Sequence, residues 1–380
     1  MQTRLPAAAV LVAAFLAGGY PVGVGSYLCA AVWLALALAA ARRPPPVPSA
    51  AVLALLALAA LTLLSELWGR PHEALAVVQL PLLYAGLVWS AEWAGAPALD
   101  GLRVAIGVIA AAGIAGRVTG LAAPSPEPGS ARMAWPLGYA DGLGLLCALG
   151  VILCAARRRW WPVAGICAVA LFWTLSRSAI VACLVGLGAL AVLRGLVPRR
   201  VALVGGAVLL AAAVVLAQPA YDRFQSPAPD TRGVSRLATV SGHGRTHLWH
   251  AALVEGRDQP LAGGGAGSWR RVTGAQVANP HSLELQTFAE LGLVGVAALA
   301  FFLVAVLRRP RDAAAWSAFL AWALVSAVDW DWQLPAVTGA AMVCAGSLTA
   351  TGRTLGARAA VAAAGIALGL GAAALLRAIV

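Results

Sequence analysis

His281 lies in the stretch Asn-Pro-His-Ser, residues 279–282, directly before a long apolar segment. Imidazole titrates near neutral pH, so a histidine here could take a proton from a hydroxyl group as a general base. Glu284 follows three residues later, and on a helix it would share a face with His281 and could orient the ring. The alternative is an ordinary polar residue at a membrane interface. The sequence therefore offers His281 as a candidate base and Glu284 as a possible orienting group.

Two arginines could bind an anion. Arg177 lies in a Ser-Arg-Ser turn between two apolar runs, and Arg245 begins a short amphipathic segment, residues 245–253. A charge near membrane depth is costly, so it usually has a partner or a function. The planar guanidinium group matches the oxygens of a phosphate. Snorkelling of Arg177 towards lipid headgroups is the alternative.

A metal site is the competing interpretation of the other histidines. His243, His247 and His250 lie close together in the sequence. A catalytic zinc site needs three well-placed ligands, and no suitably spaced carboxylate accompanies these residues. We therefore predict no metal here and interpret the three as solvated loop histidines. The glycines of residues 263–267 permit tight turns and close backbone approach to an anion or a lipid headgroup.

Two acidic residues lie in a tryptophan-rich stretch near the C-terminal side of His281. Asp329 and Asp331 belong to Asp-Trp-Asp-Trp-Gln-Leu-Pro, residues 329–335. They could bind hydroxyl groups of an acceptor or pair with the arginines. The alternative is a belt of interfacial tryptophans with solvated acids.

Membrane helices must position these residues. Of the 380 residues, 61% are hydrophobic and 11% are charged, whereas a soluble domain carries roughly 25% charge. Apolar runs recur along the whole chain, which predicts an all-α polytopic membrane protein of about 12–13 transmembrane helices. The expected spans are residues 5–19, 24–41, 51–65, 75–93, 102–121, 139–156, 161–176, 178–194, 201–217, 286–307, 313–328, 336–350 and 359–377.

The arginines also predict the orientation. They cluster in alternate loops, for example at 42–43, 157–159 and 308–311. The positive-inside rule then places these loops and the N-terminus in the cytoplasm. Residues 218–285 become one large extracytoplasmic loop, and all five histidines fall on that side. We interpret the net charge of +12 as a topology signal and expect no nucleic-acid partner.

The same pattern divides the chain into four parts. Residues 1–122 hold the N-terminal transmembrane helices, 123–217 the central ones, 218–285 the large loop and 286–380 the C-terminal helices.

In order and spacing these residues resemble the O-antigen ligase and O-antigen polymerase-like membrane glycosyltransferases. The resemblance rests on the Ser-Arg-Ser turn, on the loop from Arg245 to the glycine run, and on Asn-Pro-His leading into a span. Upstream, residues 132–141 resemble the family's Arg-x-x-x-Pro-Leu-Gly-Tyr-x-Asn stretch, with Asp141 where asparagine is usual. The resemblance covers about residues 130–335.

This resemblance implies a GT-C-like fold that moves a glycan from a polyprenyl-pyrophosphate donor to a lipid or glycan acceptor. The reaction would occur outside the inner (cytoplasmic) membrane, without a metal or another cofactor. Arg177 and Arg245 match the family's pyrophosphate-contacting arginines, and Arg132 of the upstream motif is expected to join them. His281 matches the histidine proposed to activate the acceptor hydroxyl.

Three alternatives to a ligase stay open. One is a related membrane glycosyltransferase of cell-wall assembly, or a non-enzymatic relative of the family. A polysaccharide polymerase would use the same donor and the same residues. A transporter or permease for a small anion would predict ionisable groups near the centres of spans and repeat symmetry; Arg117 is the main mid-span candidate.

Overall fold

The structure is a computed structural model that describes residues 4–69, 73–121, 132–198, 200–201, 205, 235, 237, 242, 244–269 and 278–379. Within these residues the regular elements are α-helices, short 3-10 helices and one isolated bridge between Pro46 and Thr354, with no β-strand in this part of the chain. The α-helices of the described residues are α1 Leu5–Phe15, α2 Val22–Ala40, α3 Ala50–Leu64, α4 Glu73–Val77, α5 Gln79–Ala94, α6 Ala96–Thr119, α7 Ala140–Ala155, α8 Trp161–Thr174, α9 Arg177–Leu193, α10 Arg245–Asp258, α11 Leu283–Leu307, α12 Ala313–Ser326, α13 Pro335–Thr349 and α14 Ala357–Ile379.

The predicted all-α polytopic membrane protein is confirmed. Each predicted span except 201–217, which lies almost wholly outside the described residues, corresponds to an α-helix within a few residues. Five helices of the described part are long and apolar enough to cross a membrane, namely α2, α3 with its 3-10 extension, α6, α11 and α14.

Helix α6 begins six residues before the predicted span, and paired charges explain the difference. Arg103 is 1% exposed, and it donates to the carboxylate of Asp100 at 2.6 Å and to the Leu153 carbonyl at 3.0 Å. Arg159 donates to the other oxygen of Asp100 at 2.7 Å. Because these charges satisfy one another, the helix continues through a stretch that hydropathy alone excludes.

Helices α7 and α13 form the centre of the bundle. Every residue of α13 except Ser347 is buried, and the helix packs against α1, α5 and α12. Helix α7 packs against α8, α9 and α12. A Cβ atom on Gly144 would lie 2.7 Å from Thr174 Oγ1 and 2.9 Å from Ser176 Cβ. Glycine at this position therefore lets the turn between α8 and α9 approach the first turns of α7.

Helix α11 is broken at Gly292, where φ is 61° and ψ is −161°. The glycine-rich segment docks against the break. Gly264 N–H donates to the Ala289 carbonyl and Gly265 N–H to the Glu290 carbonyl, each at 2.9 Å. On the other side of the break, the N–H groups of Leu293 and Val294 donate to the carbonyls of Pro260 and Leu261. Irregular backbone in a membrane protein is tolerated where protein groups satisfy it in this way.

The close contact between this segment and α11 explains why glycine is needed at these positions, which a flexible turn alone would not explain. A Cβ atom on Gly263 would lie 2.4 Å from the backbone of Glu290, and one on Gly292 would lie 2.4 Å from the backbone of Leu261. The close approach expected for this glycine run is therefore made to the backbone of α11.

Candidate active site

His281 lies between Asn279 and the start of α11. Its φ of 55° is in the left-handed region, which is uncommon for a residue other than glycine. Asn279 Oδ1 accepts the His281 backbone N–H at 3.1 Å. Ser282 then caps the helix, because its Oγ accepts the Leu285 N–H at 3.3 Å. An Asn-Pro-His-Ser stretch thus forms a local turn that presents His281 at the end of a membrane helix.

The sequence pattern placed Glu284 and His281 on one helical face, but the structure gives them different surroundings. The helix begins at Leu283, so His281 lies outside it. Ser282 Oγ donates to Glu284 Oε2 at 3.4 Å, and His281 Nδ1 is enclosed without a hydrogen-bond partner in the described residues. Glu284 therefore does not orient the imidazole ring in this structure.

Arg245 pairs with Asp329 across the site. The guanidinium Nη2 lies 3.0 Å from Asp329 Oδ2, and Nη1 donates to the Val328 carbonyl at 2.5 Å. Asp329 is completely buried, and its Oδ1 accepts from Tyr139 Oη at 3.0 Å and from the Trp330 N–H at 2.8 Å. The Arg245 side chain is 20% exposed, so part of this fixed cation still faces the surroundings.

Arg132 and Asp141 form a second ion pair. Arg132 Nη2 lies 2.5 Å from Asp141 Oδ1, and Arg132 Nε donates to the Thr174 carbonyl at 2.9 Å. Arg132 is 3% exposed, and the pair joins the start of α7 to the end of α8. Asp141 thus supplies a full counter-charge to a buried arginine.

Arg177 is the first residue of α9 and is half-buried. Ser176 precedes it as the helix cap, because Ser176 Oγ accepts the Ala179 N–H at 3.4 Å. Ser176 itself is fully buried beside Asp141. Arg177 therefore directly follows Ser176, the residue that contacts Asp141 of the second ion pair.

Asp331 is buried at 0% exposure, and neither carboxylate oxygen has a hydrogen-bond partner in the described residues. Burial raises the pKa of Asp331 well above its ordinary value, and the negative charges of Asp329 and Asp141 raise it further. These surroundings therefore favour the neutral form of Asp331. Both acids of the tryptophan-rich stretch are buried, so the alternative of solvated acids is wrong.

The protein environment keeps the imidazole of His281 neutral. Burial lowers the pKa of His281 below its ordinary value of 6.5, and the positive charge of Arg245 lowers it further, while Asp329 opposes this effect. A neutral imidazole can accept a proton at neutral pH. Of the two ring nitrogens, Nδ1 is enclosed by protein.

The structure thus brings six residues into one electrostatic cluster, which we call the site cluster: Arg132, Asp141, Arg245, His281, Asp329 and Asp331. The described parts of the chain contain no group of three His, Cys, Asp or Glu side chains that could hold a metal. His247 and His250 are exposed on α10, and His243 lies outside the described residues.

Sequence reasoning missed two partners of this cluster. Tyr139 was part of the upstream motif without a role, yet it hydrogen-bonds Asp329. Gln333 was part of the tryptophan-rich stretch without a role, and its Oε1 accepts from Asn279 Nδ2 at 3.3 Å. Gln333 follows Asp331 by two residues, and this proximity to two acids could have indicated a role for Gln333 from the sequence.

The fold and the site cluster together define a polytopic α-helical membrane protein with paired arginines and a neutral histidine at one end of the bundle. Residues 162–300 match the family model described as O-antigen ligase. The match shows that this segment, which is less than half of the chain, is similar to an O-antigen ligase-like family. It includes Arg177, Arg245 and His281, whereas Arg132 and Asp329 lie outside it. No curated protein matches the chain.

Proposed function

We propose that the protein transfers a glycan from a polyprenyl-pyrophosphate donor to a hydroxyl group of a lipid or glycan acceptor on the extracytoplasmic face of the inner membrane. The observation that carries the proposal is the position of a neutral His281 beside the fixed cation of Arg245. A leaving pyrophosphate needs positive charge, and an attacking hydroxyl needs a proton acceptor.

In this reaction the acceptor oxygen attacks the anomeric carbon of the donor sugar. The bond between that carbon and the pyrophosphate oxygen breaks, and the pyrophosphate leaves with the electron pair. The acceptor proton moves to His281 Nε2. Arg245 and Arg177 bind the pyrophosphate oxygens and replace the divalent ion that would otherwise neutralise them.

Asp329 and Tyr139 act on the substrate through Arg245. The two hydrogen bonds to Asp329 Oδ1 fix its carboxylate, and the other oxygen fixes the guanidinium. A preorganised cation stabilises developing charge without reorganising during the reaction. Binding of the pyrophosphate by Arg132 stays a prediction, and its burial and its pairing with Asp141 favour a role in positioning α7 and α8.

Reconstituted protein with a synthetic polyprenyl-pyrophosphate glycan tests the proposal. Transfer should persist in excess chelator. The transfer rate of Arg245→Lys should be at least about 100-fold lower, because an ammonium group lacks the planar set of N–H donors that can bind Asp329 and a phosphate together. Arg257→Ala is the matched control, since Arg257 is exposed on the same helix. Wild-type rates in Arg245→Lys, or activity that returns only when a divalent ion is added, would contradict it.

A further inference from the structure

A cavity of about 310 Å³ lies beside the turn that carries His281, outside the site cluster. It is enclosed by residues of α2, α3, α5, α11, α12 and α13. Ala278 and Leu283, on either side of His281 in sequence, contribute to its wall. At its rim, Tyr20 is 42% exposed. The volume lies at the lower end of the range of about 300–1,000 Å³ found for ligand pockets.

The wall of this cavity is largely apolar, for example at Leu55, Leu291 and Phe302, and amides, hydroxyls and further aromatic rings lie among these side chains. Its polar side chains include Gln79, Gln286, Gln333 and Thr287, and one carboxylate, Glu290, lies among them. Among the described residues, no arginine or histidine is part of the wall. This described part of the wall therefore offers no cation to a pyrophosphate, and it suits an uncharged ligand better than the charged part of the donor.

A chain of hydrogen bonds links this wall to His281. Gln286 Nε2 donates to Glu290 Oε1 at 3.1 Å, and Gln333 Nε2 donates to Gln286 Oε1 at 3.5 Å. Asn279 donates to Gln333, and Asn279 Oδ1 accepts the His281 N–H. A primary amide has two N–H donors, so the chain leaves one donor on Gln286 and one on Gln333 without a partner in the described residues.

Trp332 adds a further donor without a partner. It lines the cavity, and its indole Nε1 is buried and makes no hydrogen bond in the described residues. Buried donors of this kind are costly unless a ligand or water satisfies them. A ring hydroxyl both donates and accepts, as the amides do, and an aromatic ring suits the apolar face of a sugar. A lipid chain could not satisfy these donors.

We propose that this cavity is the acceptor subsite and takes an uncharged sugar. The amides of Gln286 and Gln333 bind its hydroxyls, and Trp332 packs on its apolar face. The inference rests on the proposed function, because the histidine must lie between the pyrophosphate and the acceptor. The imidazole of His281 is electrostatically coupled to Arg245 and Asp329, and its backbone N–H is joined through Asn279 to the amide chain of the cavity wall.

Photo-crosslinking of wild-type protein in lipid nanodiscs tests the occupant directly. The probe is an octyl glucoside with a diazirine on the sugar ring. It should label peptides that contain residues 278–287 and 332–333, and unlabelled octyl glucoside should compete. An octyl oligo(ethylene glycol) ether or octyl phosphate should not compete. Equal competition by the ether would show a lipid-chain pocket, and stronger competition by the phosphate an anion site; either result overturns the proposal.

Variants then test the residues. Gln286→Met and Gln333→Met keep the side-chain length and should each reduce labelling by about tenfold, as expected for the loss of a hydrogen bond. Gln259→Met is the matched control, because Gln259 is exposed. If a variant does not fold, the competition experiment on the wild-type protein still tests the proposal. Labelling of the cavity needs neither the donor nor turnover. A protein that transfers glycan but is not labelled in the cavity would therefore contradict the acceptor subsite and leave the proposed function standing.

Discussion

The two ion pairs of the site cluster have different exposure, and this difference separates their roles. Arg245 keeps 20% of its side chain exposed while Asp329 fixes it, whereas Arg132 is 3% exposed between Asp141 and Thr174. A guanidinium that is fixed on one side and open on the other can bind an anion. One that is enclosed by its partners holds helices together. We therefore expect substrate contact from Arg245 and positioning from Arg132.

His281→Ala should reduce glycan transfer by about 10²–10⁴-fold, the contribution typical of a general base. Binding of the donor should be largely kept, because the arginines that hold the pyrophosphate remain. The measurement is turnover and donor affinity of the reconstituted variant. His250→Ala is the control, since His250 is exposed on α10. If the alanine variant of His281 turns over normally, the base must be another group.

The pH dependence of the glycan transfer rate should reflect the lowered pKa of His281. Burial and Arg245 lower the pKa of His281 below 6.5, so the neutral, proton-accepting form persists into mildly acidic solution. The acid limb of the transfer rate should therefore be centred below pH 6.5, the ordinary pKa of histidine. Rate profiles and histidine NMR titration of the wild type would measure this. An acid limb centred above about pH 7 would be the opposite of what burial predicts.

At the scale of elements, the break in α11 sets the position of His281. The residues before Gly292 start at the His281 turn, and α10 packs against this helix. Ala252, Trp269 and Ala289 form a small buried cluster between α10 and α11. Residues 260–265 then form four backbone hydrogen bonds with α11, two on each side of the break. The arginine of α10 and the histidine before α11 are thus held by one packed unit.

Gly292→Ala should disrupt this unit. At Gly292 φ is 61° and ψ is −161°, a region that is essentially confined to glycine and costs another residue about 1–3 kcal/mol. The added Cβ would lie 2.4 Å from the Leu261 backbone. Lower thermal stability in nanodiscs and reduced transfer are expected. Gly188→Ala is the control, because it lies within α9 and a Cβ there meets nothing within 4 Å. Equal stability of the two variants would mean that the segment does not hold the break.

The sequence predicts helices better than the contacts between them. Apolar runs mark membrane helices because the bilayer demands length and low charge. The break at Gly292 is invisible to that criterion, because Leu283–Leu307 taken as a whole is long and apolar enough to cross a membrane as one helix. The histidine and the arginines were found by residue type and order. The pairing of Arg245 with Asp329 was open among alternatives, because it joins residues 84 positions apart.

At the scale of the whole molecule, the cysteines and arginines make the orientation measurable. All six cysteines are buried, so a membrane-impermeant maleimide should give little background labelling. Helix α10, with its exposed histidines, is predicted to be extracytoplasmic, and the arginine-rich turn at Arg158 cytoplasmic. A cysteine at either position would be exposed, since His250 and Arg158 both are.

His250→Cys should therefore react with the maleimide in intact cells from which any outer barrier has been removed, and Arg158→Cys should not. In inside-out vesicles the pattern should reverse, and detergent should make both react. Charge distribution sets this result, because arginine-rich loops are retained on the cytoplasmic side during insertion. Labelling of Arg158→Cys from the outside would place the site cluster in the cytoplasm. It would then be on the wrong side for an extracytoplasmic glycan transfer, whatever the chemistry of His281 and Arg245.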